Sequence, residues 1–263
     1  MIPKIFHLFW SGGPISYLRY VTFLTLRKHH PNWSIKLHVA NSFGSASWPQ
    51  DAIFQDFSKN ITKDYYPMVK NIVNEVCLYD RHPNDAPNYQ SDFFRWDILA
   101  EQGGFYLDTD QVILKPFDDL ICHRFIYSEY MCRNNTLHYT PVGVIGAETG
   151  LELTKHIQAT IASYYTTNYN SIGPFMFLSV IGKRPDLLSS IDAFNSGKFL
   201  FYPIFDSEDV GAIYSGSFSP PKESYALHWF GGHWRSQEFN ASYSEEKTLT
   251  GNDSISKILR NEK

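Results

Sequence analysis

The sequence predicts an α/β protein with a mostly parallel central sheet flanked by helices, and three observations carry that expectation. The opening forty residues read strand, helix, strand: Ile2 to Trp10 is an apolar run, Ile15 to His30 has apolar residues at helical spacing, and Ile35 to Ala40 alternates. Such a β-α-β start implies parallel strands joined by a right-handed crossover. Further on, Ser91 to Pro116 reads as a helix, a Gly-Gly turn and a strand. Finally, 263 residues at 43% hydrophobic content supply one sizeable core, so residues 1–263 are expected to form a single domain.

Taken in order, Ile2 to Trp10 is apolar enough for a strand covered on both faces, and Ser11-Gly12-Gly13-Pro14 ends it in a turn that a ligand can approach. Leu18, Val21, Leu24 and Thr25 line the next helix, which stops at Pro31-Asn32. Residues 41–64 read as loop and weak helix. Tyr65 to Asp80 is expected to be helical, with Arg81 to Pro87 as the loop delivering the central helix. There Phe94, Ile98 and Leu99 recur at helical spacing, and Gly103-Gly104 supplies a left-handed cap. Phe105, Leu107, Val112 and Ile113 are strand formers, and alternation along one strand sends Asp108 and Asp110 to one face, roughly 6.6 Å apart. Phe125 to Tyr130 and Val142 to Ala147 should extend the sheet. Helices are expected from the Gly146–Gly150 turn to about Tyr165 and from Phe175 to Ile181, and a late strand from Phe199 to Phe205. Ser215 to Pro221 reads as an acceptor loop, Ala226 to Trp234 as a run whose His228 lies beyond an apolar strand, and Ile255 to Arg260 as a last short helix.

Composition removes several classes of function. Charge is nearly balanced, 23 basic against 27 acidic residues, with no polybasic run to serve as a nucleic-acid footprint. Cys77, Cys122 and Cys132 are odd in number and form no C-x-x-C pair, so reduced thiols are expected rather than a disulfide framework. Cys122, Cys132 and His138 lack a fourth zinc ligand at a familiar spacing. Ile2 to Trp10 is too short and interrupted for a signal peptide or a membrane span, which predicts a cytoplasmic protein with no transmembrane segment, and makes the sequons at Asn60 and Asn134 accidental. No G-x-S-x-G or P-loop motif supports an esterase or kinase. An aromatic content of 16% leaves room for rings that stack on sugars or bases.

Chemistry concentrates at Asp108 and Asp110. Two unneutralised carboxylates facing one point repel each other, so a cation is expected between them. Hard divalent ions such as Mg2+ or Mn2+ suit oxygen ligands and leave positions open for substrate phosphates, which points to a nucleotide-linked substrate. Read without that context, D-x-D is also an ordinary solvated turn.

The run S-D-x-x-R-x-x-x-L-x-x-x-G-G-x-Y-L-D-x-D, here Ser91, Asp92, Arg95, Leu99, Gly103, Gly104, Tyr106, Leu107, Asp108 and Asp110, resembles the DXD sugar-binding region of glycosyltransferase family 32, which includes Och1-like mannosyltransferases and bacterial capsular and lipopolysaccharide transferases. It is similar also to the catalytic domains of clostridial glucosylating toxins. The resemblance implies a GT-A type, Rossmann-like domain that moves a hexose, with retention, from a nucleotide diphosphate sugar (UDP-sugar, or GDP-mannose) to a glycan or other hydroxyl acceptor. It implies Mn2+ or Mg2+ held by Asp110 and Asp108, with Asp108 touching metal or ribose, and Asp92 and Arg95 on the donor sugar. The opening around Phe9 and Trp10 is similar to the family's, whose Trp stacks on the nucleobase; a core Trp is the plain alternative. Tyr106 and the pair Gly173-Pro174 match donor-site elements. Ala226 to Trp234 resembles the C-terminal H-x-x-G elements of retaining transferases, which would make His228 a metal ligand and put His233 and Trp234 at the diphosphate. His233 stands where the family has Ser or Lys, so the contact at that position departs from the pattern. Other readings of the same residues are a glycoside hydrolase using Asp108 and Asp110, a non-catalytic sugar-binding protein, a plain Asp92–Arg95 surface ion pair, and a structural His228.

Overall fold

A computed structural model of the chain describes residues 1–11, 13–40, 61–83, 85–132, 137–204 and 209–261. Gly12, most of the expected loop and weak helix at 41–64, and the sequon asparagines Asn60 and Asn134 lie outside the described residues.

The centre is a seven-stranded sheet. β1 (Ile5–Trp10) lies inside it, with β2 (Ser34–Ala40) on one side and the middle strand β4 (Gly104–Leu107) on the other, both parallel to it. β3 (Glu75–Tyr79) closes one edge, parallel to β2. On the far side of β4 come β9 (Val144–Ala147), β6 (Phe125–Tyr127) and β10 (Ala193–Asn195). β9 is antiparallel to both β4 and β6, so six strands run one way and one against them. The sheet is mostly parallel, as expected from a β-α-β opening.

Alternation splits the core between the two faces of this sheet. Phe6 and Leu8 belong to one buried cluster, which includes Leu18 and Val21 of α1 (Tyr17–His29); Phe9 and Tyr106 belong to the other, with Phe94 and Trp96 of α3 (Pro87–Glu101). α1 is capped by Ser16, whose hydroxyl accepts from the Arg19 N–H, and its last turn carries Arg27, Lys28 and His29, which suit the negative end of the helix. α3 starts on Pro87 and ends at Gly103 and Gly104, whose φ values are +66° and +90°. A Cβ on Gly103 would lie 2.6 Å from the Thr149 nitrogen, so only glycine fits this crossing of backbones. His7 Nε2 sits 3.1 Å from the Gly103 carbonyl and must donate to it, which leaves His7 Nδ1 to accept from His38 Nε2 at 3.2 Å. Burial first, then His38 for His7 and Lys36 for His38, keep both rings neutral, with pKa values lowered to about 3 and about 4. The turn feeding β4 is therefore pinned to the sheet by a neutral histidine pair.

Three expectations are corrected. Tyr65 to Asp80 is not one helix: α2 (Tyr66–Lys70) stops after one turn and β3 follows, because Glu75 to Tyr79 finds unsatisfied backbone at the edge of β2. Phe199 to Phe205 is not a strand over its described part. Phe201 and Tyr202 are both fully buried in succession, and Tyr202 N–H folds back to the Lys198 carbonyl at 2.9 Å, a turn that fills core rather than an alternating strand. The polar stretch after Gln237 is more helical than expected, with α8 (Trp234–Ser242), α9 (Glu245–Thr250) and α10 (Ser254–Asn261) capped by Ser and His side chains in the first two cases. Cys77 and Cys122 are free thiols, and His138 pairs with Glu129 at 2.6 Å. Among the described residues no helix is long and apolar enough to cross a membrane.

Candidate active site at the end of the central strands

β4 ends at Leu107, and Asp108-Thr109-Asp110 forms a bend before β5 (Gln111–Ile113). The two carboxylates converge through that bend, and not by alternation along a single strand as the sequence suggested. α1 holds the bend. Thr22 Oγ1 lies 2.8 Å from the Thr109 carbonyl and 2.7 Å from the Gln111 carbonyl, and it accepts from the Gln111 N–H; Thr25 Oγ1 accepts from Ile113. β5 pairs antiparallel with β11 (Ala226–His228), His228 lying opposite Gln111, and the Trp229 N–H reaches the Asp110 carbonyl at 3.0 Å. That register is what brings a histidine 118 residues downstream beside Asp110.

Asp108, Asp110 and His228 each offer one ligand atom, all within 4.8 Å of one another. Asp110 Oδ2 accepts from the Gly231 N–H at 2.6 Å. Asp110 Oδ1 lies 3.0 Å from His228 Nε2, yet the two are not aligned as a hydrogen bond, and both are buried without a hydrogen-bond partner. Two orphaned buried ligand atoms aimed at one point, with Asp108 Oδ2 at 3.9 Å from the imidazole, fit a divalent cation of mixed oxygen and nitrogen taste. Burial alone would raise the Asp110 pKa, but the His228 ring and Arg19 outweigh it and hold the carboxyl well below its usual range. Burial likewise pulls His228 down, and the Asp110 and Asp108 carboxylates reverse that and raise it.

A second line of polar groups leads from the metal-type cluster into the protein. Asp108 Oδ1 accepts from the Tyr106 hydroxyl at 2.6 Å, and Arg95 Nη2 lies 3.4 Å from it. Arg95 also donates to Asp92 and stacks its cation 4.4 Å from the Tyr106 ring centroid. Asp92 and Arg95 are buried, so the exposed ion pair that the spacing also allowed is excluded. Burial raises Asp92 to about 6 against the opposing pull of Arg95. Gly173 starts α5 (Pro174–Lys183), and a Cβ there would meet the Asp92 carboxylate at 3.3 Å, so the Gly-Pro element does face this pair.

Gly143 is a residue that sequence reasoning passed over. Its carbonyl accepts from the Asp108 N–H at 2.8 Å, and an added Cβ would stand 2.4 Å from Asp108 Oδ2 and 3.2 Å from the Tyr202 hydroxyl. Gly143→Ala is expected to displace the Asp108 carboxylate and weaken Mn2+ binding at least about tenfold while shifting the melting temperature only slightly, because the Cβ meets a side-chain end that can move. Isothermal titration with Mn2+ checks this; unchanged affinity would refute it. Tyr202, fully buried with its ring 5.4 Å from that of His228, also lines the site. Thr22, Gly143 and Tyr202 left no signal beyond a polar residue on an apolar helix face, a lone glycine and one aromatic among many.

Not every expected residue arrives. Phe9, expected at the nucleotide, is packed in the core, stacked on Phe94 at 5.2 Å between centroids. Trp10 is half-buried and packs against the edge of the core, its Nε1–H bound to the Gly13 carbonyl and one face covered by Arg19 at 4.7 Å. Pro174 is buried with its carbonyl bound by Thr140. His233 caps α8, its Nδ1 accepting from the Arg235 N–H, while Trp234 is 53% exposed.

Residues 20–126 match the family described as the glycosyltransferase sugar-binding region containing the DXD motif. An uncharacterized glycosyltransferase of Acanthamoeba polyphaga mimivirus is 31% identical over 147 residues, covering 56% of this chain and 50% of the relative. The subversion of eukaryotic traffic protein A of Legionella pneumophila is 32% identical over 126 residues, covering 46% of this chain and 19% of its own length. The chain thus spans about half the length of the first relative and about a fifth of the second. Among solved structures, the PaToxG glycosyltransferase superposes with a TM-score of 0.50 at 16% identity, over 72% of this chain and 74% of that one. The fold is that of GT-A glycosyltransferases, and the DXD of the matched region is Asp108-Thr109-Asp110.

Proposed function

We propose that this chain, whose residues 20–126 are a glycosyltransferase sugar-binding region with a DXD motif, is a metal-dependent, retaining hexosyltransferase that moves a sugar from a nucleoside diphosphate, UDP or GDP, to a hydroxyl of a glycan or other acceptor. The observation that carries this reading is the convergence of Asp108, Asp110 and His228 with two buried, unpartnered ligand atoms. A divalent cation bound there supplies Lewis-acid stabilisation of the departing diphosphate, worth several kcal/mol of barrier. Asp92 and Arg95, fixed by each other and by Tyr106, present donors and acceptors for sugar hydroxyls beside Gly173. Asp108 holds Oδ1 against Tyr106 and keeps Oδ2 on the His228 side, so one carboxylate links the sugar-side pair to the metal-side cluster. A glycoside hydrolase is disfavoured because the Asp108 and Asp110 carboxylates converge with His228 within 4.8 Å, an arrangement that gathers around one ion rather than flanking a glycosidic bond from two sides. Retention rests on the C-terminal resemblance; the anomeric configuration of the product, read by proton NMR, tests it.

A panel of UDP- and GDP-sugars with Mn2+ provides the main test: metal-dependent release of nucleoside diphosphate from one donor is expected, and its absence with every donor would remove the reading. Free thiols at Cys77 and Cys122 suit a cytosolic site of action, and activity should persist with reductant.

The metal should also respond to pH through His228. Its raised pKa means that the metal-free ring carries a proton at pH values where a free histidine has lost it, and metal binding must expel that proton. Mn2+ affinity is therefore expected to climb as pH rises past about 6.5 and to level off once the ring is neutral, a higher window than an unperturbed histidine gives. Titrating Mn2+ from pH 5.5 to 8.5 against wild type and His228→Gln checks it: the variant should bind more weakly, lose the steep part of the profile and lose its preference for Mn2+ over Mg2+. An identical profile in both would take His228 out of the ligand set.

A further inference from the structure

The guanidinium of Arg19 is the best-placed cation in the site for which no role has been given. It lies between two indole rings, 4.7 Å from the Trp10 centroid and 5.6 Å from that of Trp229. Nη1 donates to Thr109 Oγ1, the middle residue of the Asp-Thr-Asp bend, at 2.6 Å. Nη2 runs against Gly231 so closely that a Cβ there would be 2.9 Å away, and the Gly231 N–H is the group that binds Asp110. Arg19 thus touches both backbone segments that position Asp110, from α1.

Its hydrogen bonds are incomplete. A guanidinium has five N–H donors, and among the described residues Arg19 uses one, with no carboxylate within ion-pairing distance. Stacking occupies ring faces and leaves the in-plane edge free, which is the edge that matches phosphate oxygens in pairs. Asp108 and Asp110 lie near enough for their charge to favour the cation, but burial dominates and lowers its pKa, so the charge is held without a full complement of partners. The position where the resembling family carries Ser or Lys holds His233 here, and that ring is used to cap α8.

We infer that Arg19 is the phosphate-binding cation of this site: its free edge takes the diphosphate of the nucleotide sugar. The inference rests on the proposed donor class. Base stacking is left to the Trp10 face away from Arg19, and the diphosphate spans from Trp10 to the cation site at Asp110.

The test compares ligands that differ only in phosphate. With saturating Mn2+, the affinity of uridine or guanosine and of the corresponding mono- and diphosphate is measured for wild type, Arg19→Lys and Arg19→Gln, with melting temperatures to establish folding. Arg19→Gln should lose about 10- to 100-fold for the diphosphate and less than about twofold for the nucleoside, with Arg19→Lys between, as expected for a charge-assisted fork on phosphate. Equal losses for nucleoside and diphosphate would overturn the inference and make Arg19 a prop for the Trp10 ring, while leaving the donor class standing. If wild type binds neither diphosphate, the proposed function itself fails. A second readout needs no variant: in wild type, Mn2+ with the diphosphate should slow modification of Arg19 by an arginine-selective dicarbonyl reagent, mapped by mass spectrometry, and the nucleoside should not. Equal modification with both ligands counts against the inference as firmly as the binding series.

Discussion

Asp110→Asn is expected to give a folded protein whose metal-dependent transfer falls by roughly 10³-fold or more, the equivalent of the several kcal/mol that a Lewis-acid cation contributes to a phosphoryl leaving group. The amide oxygen can still accept the Gly231 N–H that Asp110 Oδ2 accepts at 2.6 Å, so the bend keeps its contact with the segment after β11, while the anionic ligand beside His228 is gone. Asp110→Ala separates the two roles. It leaves the buried Gly231 N–H without an acceptor, at a cost of about 1–3 kcal/mol. Because Asp110 is held low in the fold, its stabilising contribution is present above the ordinary carboxylate pKa and fades as pH falls through the lowered value; the alanine variant should therefore be less stable than wild type at pH 7 and approach it in acid. Thermal melts of both variants across pH, beside Mn2+ titrations and donor-hydrolysis rates, read the two effects apart. Full turnover in Asp110→Asn would remove the metal from the reaction.

Much of this site is visible in the sequence because its parts are local. Asp92, Arg95, Tyr106, Asp108 and Asp110 sit within nineteen residues, and the helix, Gly-Gly turn and strand that carry them obey local rules: helical spacing, positive φ at glycine and strand-forming residues. His228 was legible through its motif, but its position depends on β5 pairing with β11, a register that no local pattern encodes. The failures share a cause. Tyr65 to Asp80 carries helical spacing and was overruled by an open sheet edge, and Phe201-Tyr202 has strand residues that are both buried, one after the other, in the same core cluster. Phe9 and Trp10 show the same limit at single-residue scale. One-residue alternation sends Phe9 to the α3 face and leaves Trp10 at the strand's end beside Arg19, and only the sheet decides which is which. Thr22 and Arg19 escaped notice because α1 looks like a simple covering helix, whereas its polar residues clamp the Asp-Thr-Asp bend from the side.

Arg95→Met should be the most destabilising single change in the site. Arg95 is buried, donates to Asp92 and lies 3.4 Å from Asp108 Oδ1, with its cation over the Tyr106 ring. Methionine fills part of the stem volume but leaves Asp92 as a buried carboxylate without its counter-charge, a loss of about 3–5 kcal/mol by analogy with other broken buried pairs. The molecule has one escape, which is to protonate Asp92. That carboxyl is already raised to about 6 by burial while Arg95 pulls against the rise, so removing Arg95 must push it higher still. A raised carboxyl binds its proton more tightly in the fold than in the unfolded chain, so the folded state is favoured at low pH and loses that advantage as pH rises through the folded pKa. The stability deficit of Arg95→Met is accordingly expected to be small near pH 5 and largest near pH 8, growing with pH as that of Asp110→Ala does but through the raised carboxyl of Asp92. Urea unfolding of wild type and variant at both pH values measures it directly, and Asp92→Asn combined with Arg95→Met should abolish the pH dependence. A deficit independent of pH would show that packing of the Arg95 stem, and not its charge, holds this part of the site together.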